Sequence, residues 1–346
     1  MFTDPHILGE KRGALGLVTL SRPKALNALT HGMVRALAAQ LAIWAGDPAI
    51  TAVAIRSAGP RGFCAGADIR ALAASLDGGI EAAAAFLRDE YRLNAFIAAY
   101  PKPHVALLHG ITMGGGAGLS MHARFRVADA SLDFAMPETG IGFVVDVGAT
   151  CFLNRAPGAL GLYLALTGAR IGAGDARDAG LVTHAVAGLD VLIERLTEGG
   201  DVEKNLAALA AKPPAGALAA QRRHIDTLFS AASVEAILER LDRDGSEFAL
   251  ETAQVLRSRS PTALKYTFRQ MRQGRALDLA ECLKMEYRMA LRALAAPDFR
   301  EGVRAALIDK DRRPAWRPAV LAAVTDSAIS AYFAPLGTRK LDLRSM

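Results

Sequence analysis

Cysteine is scarce in this sequence of 346 residues. The three cysteines, Cys64, Cys151 and Cys282, are odd in number and widely spaced, which is not the pattern of a disulfide framework. No Cys-x-x-Cys pair and no Cys/His cluster is present, so the sequence offers none of the common zinc sites. We therefore expect a protein that binds no metal and works in a reducing compartment.

Long apolar runs and long basic runs are also lacking. Every apolar stretch is broken well before the ~20 residues that a membrane-spanning helix needs. The first nine residues include Asp4 and Pro5 and lack the apolar segment of a signal peptide, which leads us to expect a cytoplasmic protein. The net charge is +6, but lysine and arginine are scattered, so nucleic acid is not an expected partner. A phosphate-bearing small molecule or a solvated surface accounts for the excess.

Short apolar segments, glycine-rich turns and amphipathic helices alternate along the chain. Apolar residues make up 51% of the sequence and charged residues 22%, which excludes disorder over most of its length. The alternation predicts an α/β layered domain with mostly parallel strands. Thr30 and Ser260 are predicted to cap helices, and helices alone are predicted from Val234 onward. The predicted strands cover residues 14–20, 52–55, 105–108, 125–128 and 182–187.

Two glycine-rich segments follow predicted strands. The first covers residues 62–68, where small residues let a ligand approach the backbone closely. The second covers residues 110–118 and contains three consecutive glycines, which are unfavourable inside a helix and imply a need for bare backbone. Two such loops can supply two N–H donors to one developing oxyanion. Ordinary strand-to-helix turns are the alternative interpretation.

Residues 136–148 place two carboxyl groups, Glu138 and Asp146, in an apolar and glycine-rich setting. Burial raises the pKa of a carboxyl group, which suits general acid or base catalysis. The alternative is that Glu138 is an ordinary turn residue and that Asp146 caps the following segment. The local pattern leaves both interpretations open.

The order and composition of these segments resemble the crotonase (enoyl-CoA hydratase/isomerase) superfamily, and in finer detail its 3-hydroxyisobutyryl-CoA hydrolase branch. The match extends over nearly the whole chain. It implies a crotonase-type α/β layered core of repeated strand-strand-helix units over residues 1–195 and a mainly helical region over residues 196–346. The segments that carry the resemblance are residues 63–70, 88–94, 109–120, 134–142, 146–148, 166–170, 260–265, 285–288 and 298–311.

Gly118 separates the branches within this resemblance. In the hydratases the matching position holds the first of two catalytic glutamates, and the Pro-Glu segment supplies the second. Addition of water to a double bond would therefore lack one acid/base group here, whereas thioester hydrolysis needs an oxyanion hole and one well-placed carboxylate. The resemblance implies hydrolysis of a short β-hydroxyacyl-CoA, 3-hydroxyisobutyryl-CoA above all, in valine degradation. It implies no cofactor beyond the CoA of the substrate.

The resemblance also implies roles for individual residues. Glu138 is the principal catalytic carboxylate, either as a nucleophile or as the base that activates water. Asp146 orients the substrate hydroxyl or assists proton transfer. The two N–H donors of the oxyanion hole are assigned to Ala65 and Gly115. The expected substrate contacts are Glu90, Gly118, Ala67, Asp68 and Lys24.

Two other functions stay open on the sequence. An enoyl-CoA hydratase or isomerase would use Asp146 as its second acid/base group. A non-catalytic acyl-CoA-binding protein would keep the pocket without turnover, although the retained Glu138 and Asp146 argue against it. The resemblance implies an acyl-CoA as the binding partner, and it leaves open whether the protein is a homo-oligomer. The charge pattern and the short apolar runs predict no nucleic acid and no membrane as partners.

Overall fold

The computed structural model describes residues 3–344, and within them the strands form two sheets. The strands are β1 (Ile7–Arg12), β2 (Leu15–Leu20), β3 (Ala52–Ser57), β4 (Gly62–Cys64), β5 (His104–Leu108), β6 (Ile111–Met113), β7 (Phe125–Ala128), β8 (Asp133–Ala135) and β9 (His184–Ala185). The main sheet has the order β1–β2–β3–β5–β7–β9. Only its β1–β2 pair is antiparallel. The second sheet, β4–β6–β8, is entirely parallel.

Helices connect the strands and then make up the C-terminal region. The α-helices are α1 (His31–Gly46), α2 (Ile69–Ser75), α3 (Glu81–Ala98), α4 (Gly115–Ser120), α5 (Ala149–Asn154), α6 (Leu160–Thr167), α7 (Ala173–Asp178), α8 (Leu189–Glu198), α9 (Val202–Ala208), α10 (Arg222–Leu228), α11 (Val234–Asp244), α12 (Glu247–Ser258), α13 (Pro261–Gln273), α14 (Leu279–Ala295), α15 (Pro297–Val303) and α16 (Asp326–Phe333). Across residues 3–344, none of the helices has the length and apolar character to cross a membrane.

The predicted strand-strand-helix unit is confirmed. A strand of the main sheet is followed directly by a short strand of the second sheet: β3 by β4, β5 by β6, and β7 by β8. The first unit continues into α2 and the second into α4. Because β4, β6 and β8 are parallel neighbours, the segments that follow them meet at one edge of the second sheet.

All five predicted strands are present as β2, β3, β5, β7 and β9. Strand β1 escapes prediction because its second half is charged and exposed, although its backbone pairs with β2 from Ile7↔Leu20 to Arg12↔Leu15. The strands of the second sheet escape it because each has only three residues, and two lie within the glycine-rich segments. Their pairing depends on distant parts of the chain rather than on a local pattern.

Both predicted helix caps are confirmed. The hydroxyl of Thr30 accepts a hydrogen bond from the Met33 N–H at 3.2 Å, at the start of α1. The hydroxyl of Ser260 accepts one from the Ala263 N–H at 3.0 Å, and Pro261 is the first residue of α13. Each cap satisfies a donor that the helix itself leaves unpaired.

The C-terminal helices pack on the same apolar core as the sheets. One continuous cluster of buried side chains joins Leu108 of β5, Leu41 of α1, Leu256 of α12 and Leu291 of α14. The division expected after residue 195 falls inside α8, which runs from Leu189 to Glu198. The division into two domains stays a prediction.

The glycine-rich segment 110–118 contains a helix, contrary to the expectation from its glycines. Helix α4 begins at Gly115 and packs directly on β4. A Cβ at Gly116 would lie 2.9 Å from the Cβ of Cys64 and would collide with the carbonyl oxygen of Cys64. Close packing between the two elements therefore outweighs the low helix propensity of glycine at this position.

Gly116→Ala should destabilise the fold, because the added Cβ would push α4 away from β4. We expect the free energy of unfolding to fall by about 1–3 kcal/mol, the usual cost of overpacking. Gly46→Ala is the matched control, since Gly46 ends α1 and its Cβ would have no heavy atom within 4 Å. Chemical denaturation measures both variants, and equal stability of the two would contradict the close approach.

Candidate active site

The loops after β4 and β6 and the segment after β8 enclose a cavity of about 80 Å³. Helix α3 closes one side of it. The lining combines bare backbone, apolar side chains and a few convergent polar groups, as in ligand pockets generally. Of the residues predicted from the sequence, those that line it are Ala65, Ala67, Glu90, Gly115, Glu138 and Asp146.

Ala65 is not available as an oxyanion donor, which corrects its assignment. Its N–H donates to the carbonyl oxygen of Leu26 at 3.0 Å. A donor that is already paired within the fold has no free hydrogen for a ligand. Ala65 therefore contributes only to the wall of the cavity, and the free donor lies elsewhere in the same loop.

Ala67 carries that free donor. It forms a parallel bridge with Leu29, in which the Leu29 N–H donates to the Gly66 carbonyl and the Asp68 N–H donates to the Leu29 carbonyl. The N–H of the central residue in such a bridge points away from its partner strand. The Ala67 N–H has no acceptor within residues 3–344, and its nitrogen would lie 3.3 Å from a Cβ built on Gly115.

Gly115 offers the second donor of the predicted pair. It is the first residue of α4, so its N–H has no partner within the helix. The chain reverses just before each donor, at Gly66 with a φ of +104° and at Gly114 with a φ of +48°. Residues other than glycine rarely adopt these backbone conformations. The N–H groups of Ala67 and Gly115 together form the candidate oxyanion hole.

Glu138 begins the short 3₁₀ helix Glu138–Ile141 and is buried. Its Oε1 would lie 3.2 Å from a Cβ built on Gly114, next to the candidate oxyanion hole. Its Oε2 has no hydrogen-bond partner among the residues that the structure describes. Burial raises the pKa of Glu138 well above its ordinary value, and the charge of Asp146 raises it further. A raised pKa makes the carboxylate a stronger base.

Asp146 is buried and is held by Tyr91, whose hydroxyl donates to Oδ2 at 2.6 Å. Burial raises the pKa of Asp146 to about 7, and the hydrogen bond from Tyr91 opposes that rise. Sequence reasoning misses Tyr91, although it lies in one of the segments that carry the family resemblance. The available signal is its place beside Glu90 on the buried face of α3.

Glu90 lines the cavity as the resemblance implies and does not lie on the surface of α3. It is 1% exposed, and its Oε1 has no hydrogen-bond partner among the described residues. The same atom would lie 2.5 Å from a Cβ built on Gly115. Burial raises the pKa of Glu90 well above its ordinary value, and the charge of Asp146 adds to the effect. Glu90 is therefore placed to contact a ligand held by the two N–H donors.

Gly118 does not line the cavity, which corrects its assignment as a substrate contact. A Cβ at this position would lie 2.8 Å from the Cβ of Val147 and 2.9 Å from Nδ2 of Asn94. These two side chains occupy the space that a side chain at position 118 would need. Gly118 therefore acts by leaving room for Val147, which does line the cavity.

Asp68 and Lys24 both lie outside this cavity. Asp68 caps α2 by accepting a hydrogen bond from the Ala71 N–H, and it forms an ion pair with Arg22 at 2.8 Å. These contacts order the loop, and the assignment of Asp68 as a substrate contact stays a prediction. Lys24 is exposed in the 3₁₀ helix Pro23–Ala25, and its contact with a CoA phosphate stays a prediction.

The chemistry that the cavity offers is that of carboxyl groups and backbone N–H groups. Within residues 3–344, no group of three or more His, Cys, Asp or Glu side chains is arranged to hold a metal ion. Glu138 is suited to nucleophilic or base catalysis at a carbonyl carbon whose oxygen lies between the Ala67 and Gly115 N–H groups.

Comparison with known proteins identifies similar sequences over nearly the whole chain. The model of the enoyl-CoA hydratase/isomerase family matches residues 15–333. A mitochondrial 3-hydroxyisobutyryl-CoA hydrolase of Xenopus tropicalis is 47% identical, over 98% of this chain and 91% of that protein. The human protein of the same name is 44% identical, over 97% of this chain and 90% of that protein.

Solved structures show the same architecture under other names. A carnitinyl-CoA dehydratase from Mycobacterium thermoresistibile has a TM-score of 0.95 and 42% identity, covering 99% of this chain and 100% of that one. An enoyl-CoA hydratase from Rhodobacter sphaeroides 2.4.1 has a TM-score of 0.92 and 43% identity, covering 97% of this chain and 99% of that one. The expected crotonase-type fold is confirmed by these matches.

Tyr91→Phe should raise the pKa of Asp146 above about 7, because the Tyr91 hydroxyl of the wild type stabilises the ionised carboxylate and the variant lacks it. A pH titration of the infrared carboxyl band of Asp146, identified by its absence in Asp146→Asn, measures the change. Tyr287→Phe is the matched control, since the Tyr287 hydroxyl donates to the Ala84 carbonyl at 3.3 Å instead. An unchanged or lower pKa in Tyr91→Phe would contradict the role of the Tyr91 hydroxyl.

Proposed function

The chain belongs to the enoyl-CoA hydratase/isomerase family, and we propose that it hydrolyses 3-hydroxyisobutyryl-CoA to the free hydroxy acid and CoA. The observation that carries the proposal is the arrangement of the cavity: Glu138 and Asp146 line the same cavity as two free N–H groups, and position 118 has no acid/base group. Relatives that match nearly the full length are named for this activity. We further propose that the reaction serves valine degradation, as the sequence resemblance implies.

The oxyanion hole supplies the first part of the mechanism. The thioester carbonyl oxygen accepts hydrogen bonds from the N–H groups of Ala67 and Gly115. These bonds strengthen as negative charge develops on the oxygen during attack at the carbonyl carbon. Removal of one such donor typically raises the barrier by roughly 2.7–4 kcal/mol, so this is a large contribution to catalysis.

Glu138 drives the breaking of the carbon–sulfur bond in one of two ways. Its carboxylate attacks the carbonyl carbon, and water then hydrolyses the resulting anhydride, or it takes a proton from a water molecule that attacks directly. In both routes CoA leaves as a thiolate that gains a proton, and one water is consumed. The unpaired Oε2 of Glu138 is available for either step.

Asp146 provides recognition of the β-hydroxyl group. The hydrogen bond from Tyr91 occupies Oδ2, which leaves the other carboxylate oxygen to accept a hydrogen bond from the substrate hydroxyl. A site built to pair with a hydroxyl discriminates strongly against analogues that lack it, because its own polar group is then left unpaired. The same carboxylate is also placed to assist proton transfer.

The walls of the cavity favour a short acyl group. Phe143 is one of the apolar walls. The ring of Phe143 packs against that of Phe299 with 5.2 Å between centroids, which restricts its movement. Val144 and Val145 are fully buried and do not line the cavity. Phe143 therefore has more influence on acyl preference than its two neighbours.

Hydration of an enoyl-CoA is the second candidate function, because the two solved structures described above carry hydratase or dehydratase names. Such a reaction normally uses two positioned acid/base groups, and here Asp146 would have to act as the second one. The space at position 118 is filled by Val147 and Asn94, so no carboxylate can enter from that side without displacing them.

A thiol-release assay over a panel of acyl-CoA esters tests the proposal. We expect free CoA to appear fastest from 3-hydroxyisobutyryl-CoA, without added metal or nucleotide and equally in the presence of a chelator. Crotonyl-CoA in a parallel assay reports hydration as a loss of enoyl absorbance without thiol release. Hydration of crotonyl-CoA with no thiol release from any ester would refute the hydrolase proposal in favour of a hydratase. Binding of CoA esters with neither reaction would refute it in favour of a binding protein.

Glu138→Gln should lower kcat by at least about 10²-fold, because it keeps the volume of the side chain but removes the nucleophile or base. Asp146→Asn should lose most activity on β-hydroxyacyl esters and less on an ester without the hydroxyl. The measurement is kcat and kcat/KM for both variants on both kinds of ester. Glu203→Gln is the control, since Glu203 is exposed and pairs with Arg124 on the surface.

Two outcomes would contradict these roles. Near-wild-type turnover of Glu138→Gln would exclude Glu138 as the principal catalytic carboxylate. Equal fractional losses of Asp146→Asn on the two kinds of ester would exclude recognition of the hydroxyl and would point to direct participation of Asp146 in thioester cleavage.

A further inference from the structure

The turn that carries Asp146 has an unfavourable backbone conformation. Val147 has a φ of +56° and Gly148 a φ of +83°, so two successive residues are left-handed. For a β-branched residue such as Val147 this conformation is rare and costs energy. Strain of this kind persists only where the surroundings hold the backbone in place, and here the strained residue is next to a carboxylate of the site.

Glu286 of α14 holds this turn by its backbone. Its Oε2 accepts a hydrogen bond from the Gly148 N–H at 2.6 Å, and its Oε1 accepts one from the Thr150 N–H at 2.9 Å. Glu286 is 0% exposed, and it forms no ion pair among the residues that the structure describes. It does not line the cavity. Burial of a carboxylate without a cation costs free energy, which hydrogen bonds to the carboxylate must offset. The two backbone N–H groups supply these bonds to Glu286.

Two further side chains form hydrogen bonds with backbone carbonyl groups in and beside the same turn. Nε2 of Gln270 contacts the carbonyl oxygen of Val145 at 2.7 Å, and the ring of His122 contacts that of Val147 at 2.7 Å. The Gln270 contact lies on the N-terminal side of the turn, whereas the Val147 carbonyl that His122 contacts belongs to the same peptide group as the Gly148 N–H. Glu286 is the side chain that accepts hydrogen bonds from the N–H groups of Gly148 and Thr150, and so it holds the chain where it leaves the strained residue.

We propose that Glu286 is a positioning residue that places the Asp146 carboxylate for recognition of the substrate hydroxyl. The inference rests on the role assigned to Asp146 in the proposed function. It follows from three observations: the strained turn, the two-point hydrogen bonding by one buried carboxylate, and the absence of Glu286 from the cavity wall. Glu286 lies in the segment 285–288, which carries family resemblance but has no role in the mechanism above.

Glu286→Gln separates this role from simple packing. Glutamine has the same size, but one of its two terminal groups is an NH₂ donor that would face a backbone N–H instead of accepting from it. Asp175→Asn is the matched control. Asp175 is also buried, and its carboxylate accepts hydrogen bonds from the backbone N–H groups of Ala217 and Leu218, in a loop outside the cavity.

The experiment compares the wild type, Glu286→Gln, Asp146→Asn, the double variant and Asp175→Asn in the thiol-release assay. Glu286→Gln should lower kcat by up to about 10²-fold with little change in KM, the effect of a misplaced group rather than of lost binding. The loss should be greater on hydroxylated esters. In the double variant, Glu286→Gln should cost less than about threefold beyond Asp146→Asn alone, because both act through one carboxylate. Asp175→Asn should retain wild-type kinetics.

Hydrogen exchange of the peptide that covers residues 143–151 supplies a measurement that does not depend on turnover. The amides of Gly148 and Thr150 should exchange faster in Glu286→Gln than in the wild type or in Asp175→Asn. Independent, multiplicative losses of kcat in the double variant, or unchanged exchange in Glu286→Gln, would overturn the inference. A wild-type protein that releases thiol from no ester would instead refute the proposed function, and the exchange data would still decide the role of Glu286.

Discussion

The carboxyl groups of Glu90, Glu138, Asp146 and Glu286 are all buried, and none forms an ion pair within the described part of the chain. Burial without a cation disfavours the charged form, and the pKa of each group is raised, to about 7 for Asp146 and to about 8 for Glu286. The opposing effect comes from hydrogen bonds to the Tyr91 hydroxyl and to backbone N–H groups. For Asp146 this balance gives a carboxyl group that gains and loses a proton near neutral pH, which is the condition that general acid–base chemistry needs.

The rest of the fold supplies the surroundings that make this burial tolerable. The second sheet brings the loops after β4 and β6 together, and bare backbone at Gly116 lets α4 pack on β4. The C-terminal helices support the site from outside the cavity, because α13 and α14 contribute Gln270 and Glu286 to the turn that carries Asp146. The helical region is thus part of the site although it contributes no carboxyl group to the cavity. A core shared by both regions stabilises the site as one unit.

Family membership does not separate hydrolysis from hydration, since proteins with either name are more than 40% identical to this chain. Function must be argued from the site itself. The decisive feature here is position 118, where Val147 and Asn94 occupy the space of a side chain. The remaining groups suit attack on an activated carbonyl better than addition of water to a double bond. The raised pKa of Asp146 and its contact with Tyr91 suit recognition of a hydroxyl on the acyl chain.

Local patterns predict the main-sheet strands other than β1, the caps Thr30 and Ser260, and the alternation of strands and helices, and family resemblance indicates the two carboxyl groups. These depend on residues close together in the chain or on a motif, and so they can be predicted. The free N–H of Ala67 rather than Ala65 emerges from the folded chain alone, because it depends on which loop residue pairs with Leu29. It also decided the partners of the Asp146 turn. Tyr91 and Glu286 are distant from that turn in sequence, and no local pattern records a hydrogen bond between residues that meet only when the chain is packed.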